Sequence, residues 1–300
     1  MAGMAATRGG RSLGDVMVKQ GSKYVHAGSG GEIHMLTFDF SETLAYICSS
    51  VGAHYATTLA SADKTTLLSA LETPERVASL DAAFRKAYKT VDGEYPNFGS
   101  RAGLDHDGWW RMVVEQTFEG ALGGGGEEEE SLYGRAMELL EEGGEVYPQL
   151  VDHFTSDRAY GVYPDVRPAL QELGAQDGLV VGIVTNMTAK VNSTLASLQL
   201  DGFADFVVDS HSVGVTKPHP DIFAAALRAG SDAHALDLVG MVEENPDRVV
   251  ALHVGDSYPF DYVGAQSAPG FAGLLLSRSD ARSPPPASVD RGDIVHSLDL

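Results

Sequence analysis

The sequence predicts an α/β fold, a doubly wound parallel sheet with an all-helical cap domain inserted after its first strand. Three observations carry this. Short apolar runs, "EIHMLTF" (32–38), "LVVGIVT" (179–185), "FADFVVDS" (203–210), "RVVALHVGD" (248–256) and "FAGLLLS" (271–277), have the length and texture of strands buried on both faces. Helix-like segments separate the last four, and strand, helix, strand in repetition builds a parallel sheet with right-handed crossovers. After the first run, roughly 120 residues hold no comparable run and show helical periodicity instead.

Taken along the chain, residues 1–30 are rich in Gly, Ala and Ser, carry Arg8 and Arg11 with the one acid Asp15, and are expected to form a flexible tail with a weak likeness to an organelle transit peptide. The α/β core is expected over 31–48 and 165–300, and the cap over 49–164. In the helical block Leu44, Ile47, Val51 and Tyr55 are spaced to share one face, and "DGWWRMVVEQTFEGAL" sets Trp109, Met112, Val113 and Phe118 near another. Four glycines followed by four glutamates at 123–130 combine backbone freedom with like-charge repulsion, so a flexible solvated loop is expected there. The stretch 279–293 carries three consecutive prolines, cannot be helix across them, and leads to a last short segment, "IVHSLDL".

Bulk composition narrows the function. A hydrophobic content of 43% over 300 residues is enough for a sizeable core. Forty-two acidic residues against 21 basic ones give a formal charge of −21, which disfavours nucleic acid and anionic membrane as partners. No apolar run approaches the ~20 residues that span a bilayer. The single cysteine, Cys48, cannot form an internal disulfide and reads as a small buried hydrophobe, so a cytoplasmic location is expected.

In a parallel α/β sheet, ligands gather at the carboxyl ends of strands. Four polar residues fall there: Asp39, Thr185, Lys217 in "TKPHPDIF", and Asp256 in "HVGDSYPFD". Each suits phosphoryl transfer. A carboxylate such as Asp39 can attack phosphorus and hold an aspartyl-phosphate. Thr185 and nearby backbone amides, Asn186 among them, can meet phosphoryl oxygens, while Lys217 supplies a point charge that tempers the crowding of carboxylates. Mg²⁺ prefers oxygen ligands, and Asp39, the backbone carbonyl of Ser41 and Asp256 can supply them. Asp261 either binds a metal-bound water or steadies Lys217. His54, His211, His219 and His253 lack metal-ligand spacing and read as structural; Trp109, Trp110 and Arg111 read as helix core before substrate contact.

"TFDFSETL", "GIVTNMT", "TKPHPDIF" and "HVGDSYPFDYVGA" resemble the four ordered motifs of the haloacid dehalogenase superfamily, and the resemblance runs over about residues 32 to 277. It implies a Rossmann-like core with a helical cap after the first motif. It also implies Asp39 as nucleophile, Thr185 as phosphate ligand, Lys217 as charge stabiliser, Asp256 as metal ligand, Mg²⁺ as cofactor and a small phosphorylated molecule as substrate. Position 41 departs from the pattern. Phosphatases of the superfamily place there an aspartate that protonates the leaving oxygen and then activates water. Serine does neither near neutrality, and general acid/base help is worth roughly 10²–10⁴ in rate. A weak Mg²⁺-dependent phosphatase is the leading expectation, a catalytically impaired binding or assembly protein the rival. A dehalogenase cleaving a carbon–halide bond needs no leaving-group proton, but those relatives do not need magnesium and Gly255-Asp256 keeps the metal-type motif. Phosphonatases use a cap lysine, for which Lys64, Lys86 and Lys89 are available; Glu42 is a possible substitute acid.

Overall fold

Apolar runs with no solvent-facing side must lie between covering layers, and the computed structural model, which describes residues 10–20, 23–27, 31–141, 144, 146–278, 285–286 and 288–300, places them so. Among the described residues the strands are, in chain order, β1 (Met17–Gln20), β2 (Lys23–His26), β3 (Glu32–Ile33), β4 (Met35–Phe38), β5 (Ala45–Ile47), β6 (Tyr160–Val162), β7 (Val180–Thr185), β8 (Phe206–Asp209), β9 (Ala251–Gly255), β10 (Phe271–Leu276) and β11 (Ile294–Val295). Six of them form one parallel sheet in the order β11-β10-β9-β4-β7-β8. Every residue of β4, β7 and β9 is buried, which is why these stretches read as unbroken apolar runs rather than alternating ones. On one face Met35, Val180 and Val184 pack against Ile222 and Phe223 of the helix Pro220–His234 and Leu238 of the next helix. Burying each such side chain fully is worth about 1.5–3 kcal/mol.

The chain forms two compact units, one of residues 1–46, 162–186 and 199–300 and one of residues 47–161 and 187–198. The second differs from the expected 49–164 mainly by taking in 187–198, a short helix that follows β7. It is built from helices Val51–Ala62, Pro74–Glu94, His106–Leu122, Glu127–Leu140 and Val146–Phe154 around Tyr55, Leu59, Leu80, Phe118 and Leu132. Trp109 is fully buried in it, with Val113, and its indole N–H donates to the Tyr95 carbonyl at 2.9 Å. The expected helical face through Leu44 and Ile47 does not form, because Ile47 ends β5 and the helix begins only at Val51, capped by the Ser50 hydroxyl.

Two expectations about order are overturned. Of the expected tail, residues 10–20 and 23–27 are structured: a 3₁₀ turn, Leu13–Asp15, precedes the antiparallel β1–β2 hairpin, with β3 alongside. Leu13, Val16, Met17 and Tyr24 are buried, and Leu13 and Gly14 donate to the carbonyls of Ser297 and Asp299 at 3.1 and 2.8 Å. A few apolar residues with long-range hydrogen bonds outweigh the glycine-rich composition. The remainder of 1–30 lies outside the described residues. The second is 123–130, in part: 123–126 are an exposed turn as expected, but Glu127–Glu130 form the first turn of a helix rather than a loop. Helix N-termini carry partial positive charge that stabilises acidic side chains, and Arg76 adds contacts to Glu128 and Glu129 at 2.8 and 3.2 Å. Of 279–293, residues 279–284 and 287 are likewise outside the described set; beyond them β11 extends the sheet beside β10. Cys48 is half-buried rather than buried. No helix among the described residues is long and apolar enough to cross a membrane.

Candidate active site

β4 and β9 run side by side, so the residues that follow them emerge together. Asp39 continues the β4 ladder by donating its amide to the Val254 carbonyl at 2.9 Å, and its carboxyl group is buried. Lys217 comes from the far side of β7. After β8 a single helical turn, Ser210–Val213, stops at Gly214, whose φ of 83° lies in the left-handed region that glycine enters without strain, and the chain turns back. The Asn186 side chain then clamps the backbone of Lys217, accepting its amide at 2.7 Å and donating to its carbonyl at 3.1 Å.

That clamp aims a buried ammonium. Lys217 Nζ donates to Asp39 Oδ1 at 2.7 Å, to Asp261 Oδ1 at 2.6 Å and to the Val184 carbonyl at 2.8 Å, which uses all three of its protons. Burial works against the charge on Lys217, but Asp261 and Asp39 outweigh it and hold its pKa above the usual lysine value. Asp261 is equally buried, and the same ammonium, aided by His253, keeps its carboxyl well below the usual carboxylate range. Burial is the largest influence on Asp39 and pushes its pKa up, against the pull of Lys217.

Behind this pair stands His253, fully buried on β9. Its Nε2 lies 3.1 Å from Asp261 Oδ1 and its Nδ1 2.9 Å from the Thr37 hydroxyl. We assign the neutral tautomer with the proton on Nε2, donating to Asp261 and accepting from Thr37; burial lowers the His253 pKa and favours this uncharged form. Asp261 Oδ2 accepts from the Ser257 amide at 2.9 Å, so both its oxygens are engaged. A side chain at Gly255 would overlap the Asp261 carboxyl, so the Gly-Asp pair leaves room for a carboxylate five residues on.

Asp39, Asp256 and Asp261 bring carboxylate oxygens within 4.8 Å of one another. Asp256 is exposed, and partial burial together with the charges of Asp39, Asp261 and Glu42 pushes its pKa up to about 7. An all-oxygen set with uncompensated repulsion fits a hard divalent cation. Because Lys217, His253 and Ser257 occupy Asp261, it is Asp39 and Asp256 that have oxygens to spare; Asp261 steadies Lys217. Thr185, buried, ends β7 beside this group. The Asn186 side chain is taken up by Lys217, which leaves the expected phosphate contact to its backbone amide. Ser41 is exposed and bridges Ala45 across the turn after Asp39. Glu42, at a left-handed φ of 58° uncommon for a non-glycine residue, accepts from the Tyr163 hydroxyl at 3.0 Å.

A family model described as haloacid dehalogenase-like hydrolase matches residues 33–269. A human relative, haloacid dehalogenase-like hydrolase domain-containing protein 3, is 30% identical over 268 residues, covering 89% of this chain and 91% of its own. The chain belongs to the haloacid dehalogenase-like hydrolases. The rhythmically expressed gene 2 protein of Drosophila melanogaster is 24% identical over 66% of this chain and 69% of its own. Among solved structures, a 2-haloacid dehalogenase from Pseudomonas syringae pv. Tomato DC3000 matches with a TM-score of 0.51 at 21% identity, over 89% of this chain and 95% of that one, a likeness of fold.

Three residues that sequence reasoning did not place near the candidate site are hydrogen-bonded around it in this haloacid dehalogenase-like chain. His253 read as structural, though its place on a fully buried strand three residues before Asp256 was a usable signal. Thr43, fully buried, accepts the Asp256 amide at 3.1 Å, and Arg278 donates to the Thr43 carbonyl at 2.8 Å. Nothing local marks Arg278, whose partner is 235 positions away. Lys64, Lys86 and Lys89 are exposed, as solvated lysines are.

Proposed function

We propose that the protein is a Mg²⁺-dependent phosphatase acting on a small phosphorylated metabolite. The observation that carries this is the Lys217 ammonium held 2.7 Å from Asp39 and 2.6 Å from Asp261, which opposes the effect of burial on the Asp39 carboxyl group and orients it at a strand end. Asp39 attacks phosphorus, the bond to the leaving oxygen breaks, and the phosphoryl group rests on the carboxylate until water removes it. Lys217 offsets the negative charge that gathers during attack, and Thr185 with the amides of its loop meets the phosphoryl oxygens. Asp39, Asp256 and the carbonyl of Ser41 are the groups to hold Mg²⁺, whose charge offsets that of the phosphoryl oxygens. The strong negative charge of the chain suits small solutes of the cytoplasm over nucleic acid or anionic membrane.

The exposed Ser41 favours a second reading, a protein that keeps the fold to bind rather than to turn over. One experiment separates the two: hydrolysis of a panel of phosphorylated metabolites with and without Mg²⁺. Turnover that requires Mg²⁺ and disappears in Asp39→Asn supports the phosphatase. Binding of a phosphorylated metabolite with no turnover of any ester, aryl phosphates included, refutes it in favour of the binding protein.

A further inference from the structure

The turn that follows Asp39 carries the position where the acid is absent, so what holds that turn decides how well the rest of the site is placed. Its own hydrogen bonds are few: the amides of Leu44 and Ala45 reach the Phe40 carbonyl at 2.9 and 3.0 Å, and that of Glu42 reaches Ala45 at 2.7 Å. Glu42 is held in a left-handed conformation that persists only where surroundings impose it. Part of those surroundings comes from Arg278 and the residues it engages. Arg278 stands just past the end of β10, next but one to β4 in the sheet. Its Nη2 donates to the Thr43 carbonyl at 2.8 Å, and its Nη1 reaches both oxygens of Asp165 at 3.0 Å. The guanidinium carbon lies 3.8 Å from the centroid of the Tyr163 ring.

Each partner of Arg278 extends its grip. Tyr163 donates its hydroxyl to Glu42 at 3.0 Å and its amide to the Leu44 carbonyl at 3.2 Å, so the ring on which Arg278 lies touches the turn twice more. Asp165 also accepts the Leu298 amide at 2.8 Å, which ties the chain near β11 to the same charge. Thr43, gripped at its carbonyl, accepts the Asp256 amide on its hydroxyl at 3.1 Å, and so links Arg278 to the loop that bears Asp256. Arg278 Nε is buried and without a partner among the described residues, so this side chain sits here at a desolvation cost.

We infer that Arg278 is a positioning residue for the reaction, holding the turn after Asp39 and, through Thr43, the Asp256 loop in register with the nucleophile. The physical ground is that a planar fork can grip a carbonyl and a carboxylate at once while lying on a ring, which lysine cannot do. Groups that orient catalytic and metal-binding residues contribute through geometry, and small misplacements are expensive.

The inference rests on the phosphatase reading for its kinetic arm and not for its binding arm. The full chain is compared with Arg278→Ala and Arg278→Lys by Mg²⁺ calorimetry, by kcat and KM on p-nitrophenyl phosphate, and by thermal unfolding. Loss of such an orienting partner typically lowers activity or metal affinity by about 10- to 100-fold, and that fall is expected in kcat and in Mg²⁺ affinity, with KM little changed. Millimolar guanidinium should restore kcat and Mg²⁺ affinity to Arg278→Ala and leave Arg278→Lys unaffected, which a merely structural ion pair has no reason to do. Unchanged kcat and Mg²⁺ affinity in Arg278→Ala overturn the inference. So does a loss that follows the fall in unfolding temperature and ignores guanidinium. If the parent cleaves no ester, the phosphatase reading falls, and Mg²⁺ affinity with its guanidinium rescue alone decides for or against Arg278.

Discussion

Replacing Lys217 by Met keeps the aliphatic stem and deletes the ammonium between two buried carboxylates. The carboxylate oxygens of Asp39 and Asp261 lie within 4.8 Å of each other, and three hydrogen bonds from Nζ are lost at once. Two like unit charges at that spacing repel by roughly 3 kcal/mol at an effective dielectric constant of about 20. That agrees with the about 3–5 kcal/mol commonly lost when one partner of a buried ion pair is removed. The pH dependence has a definite sign. In the parent the depressed Asp261 contributes stability that is present above the unfolded carboxylate pKa and is lost as pH falls through its folded value. The folded pKa of Asp39, already raised by burial in the parent, is raised further in the variant by loss of the Lys217 charge, and this contributes stability at low pH that is lost as pH rises through it. Parent and variant therefore converge on acidification. Urea unfolding should show a deficit of about 3–5 kcal/mol near pH 8 that shrinks near pH 5. A deficit below about 1 kcal/mol, the size of an ordinary surface pair, or one that does not change with pH, refutes the reasoning.

Ser41→Asp supplies the absent acid at an exposed position, and turnover of an alkyl phosphate should rise toward the roughly 10²–10⁴ of general acid/base catalysis; a folded, Mg²⁺-binding variant with no gain contradicts the phosphatase reading. The raised pKa of Asp256, about 7, means protons compete with Mg²⁺ at that site. Calorimetric affinity should therefore increase about tenfold from pH 6 to pH 8 and the increase should vanish in Asp256→Asn. By the same linkage, without divalent cation Asp256 contributes stability at low pH that is lost as pH rises through about 7, which thermal unfolding of parent and Asp256→Asn should show. Gly255→Ala forces a methyl into the Asp261 carboxyl; overpacking of this kind costs about 1–3 kcal/mol, and an unchanged unfolding midpoint would show that Asp261 has room to move.

The parallel sheet was legible because β4, β7 and β9 are buried on both faces, so nothing in them alternates and each ends abruptly in a polar residue. Asp39, Thr185 and Asp256 could be placed from that alone. Lys217 could be placed near the third strand, but its aim could not, since its partners Asp39 and Asp261 are 178 and 44 positions away. His253 looked like one more strand residue because Thr37 and Asp261, which give it work, are unrelated to it in local sequence. Composition misled at both ends of the argument about order. Leu13, Val16 and Met17 anchor a segment that glycine content disguised, and four glutamates that repel in a loop are favourable at a helix N-terminus.

Ser41 sets the last step of the reasoning. A buried lysine with two carboxylates is weak support for stability, since well-packed apolar residues of similar volume often do as well or better. What such a set does supply is an oriented carboxyl group at Asp39 with a cation beside it, Lys217 being fixed by the Asn186 clamp and Asp261 by His253 and Ser257. Those are the needs of the first chemical step, attack on phosphorus. The proton for the leaving oxygen is a separate need, and the exposed Ser41 cannot meet it near neutrality. An active site equipped for attack but not for protonation should discriminate by leaving group: an aryl phosphate, whose oxygen departs without a proton, passes the first step readily, and an alkyl phosphate does not. The second step lacks a base to ready water, so phosphorylated Asp39 should accumulate on aryl substrates. A burst of phenol release followed by slow turnover is the expected trace. A linear trace with equal rates on aryl and alkyl esters would mean that another group of the site already exchanges protons with the substrate.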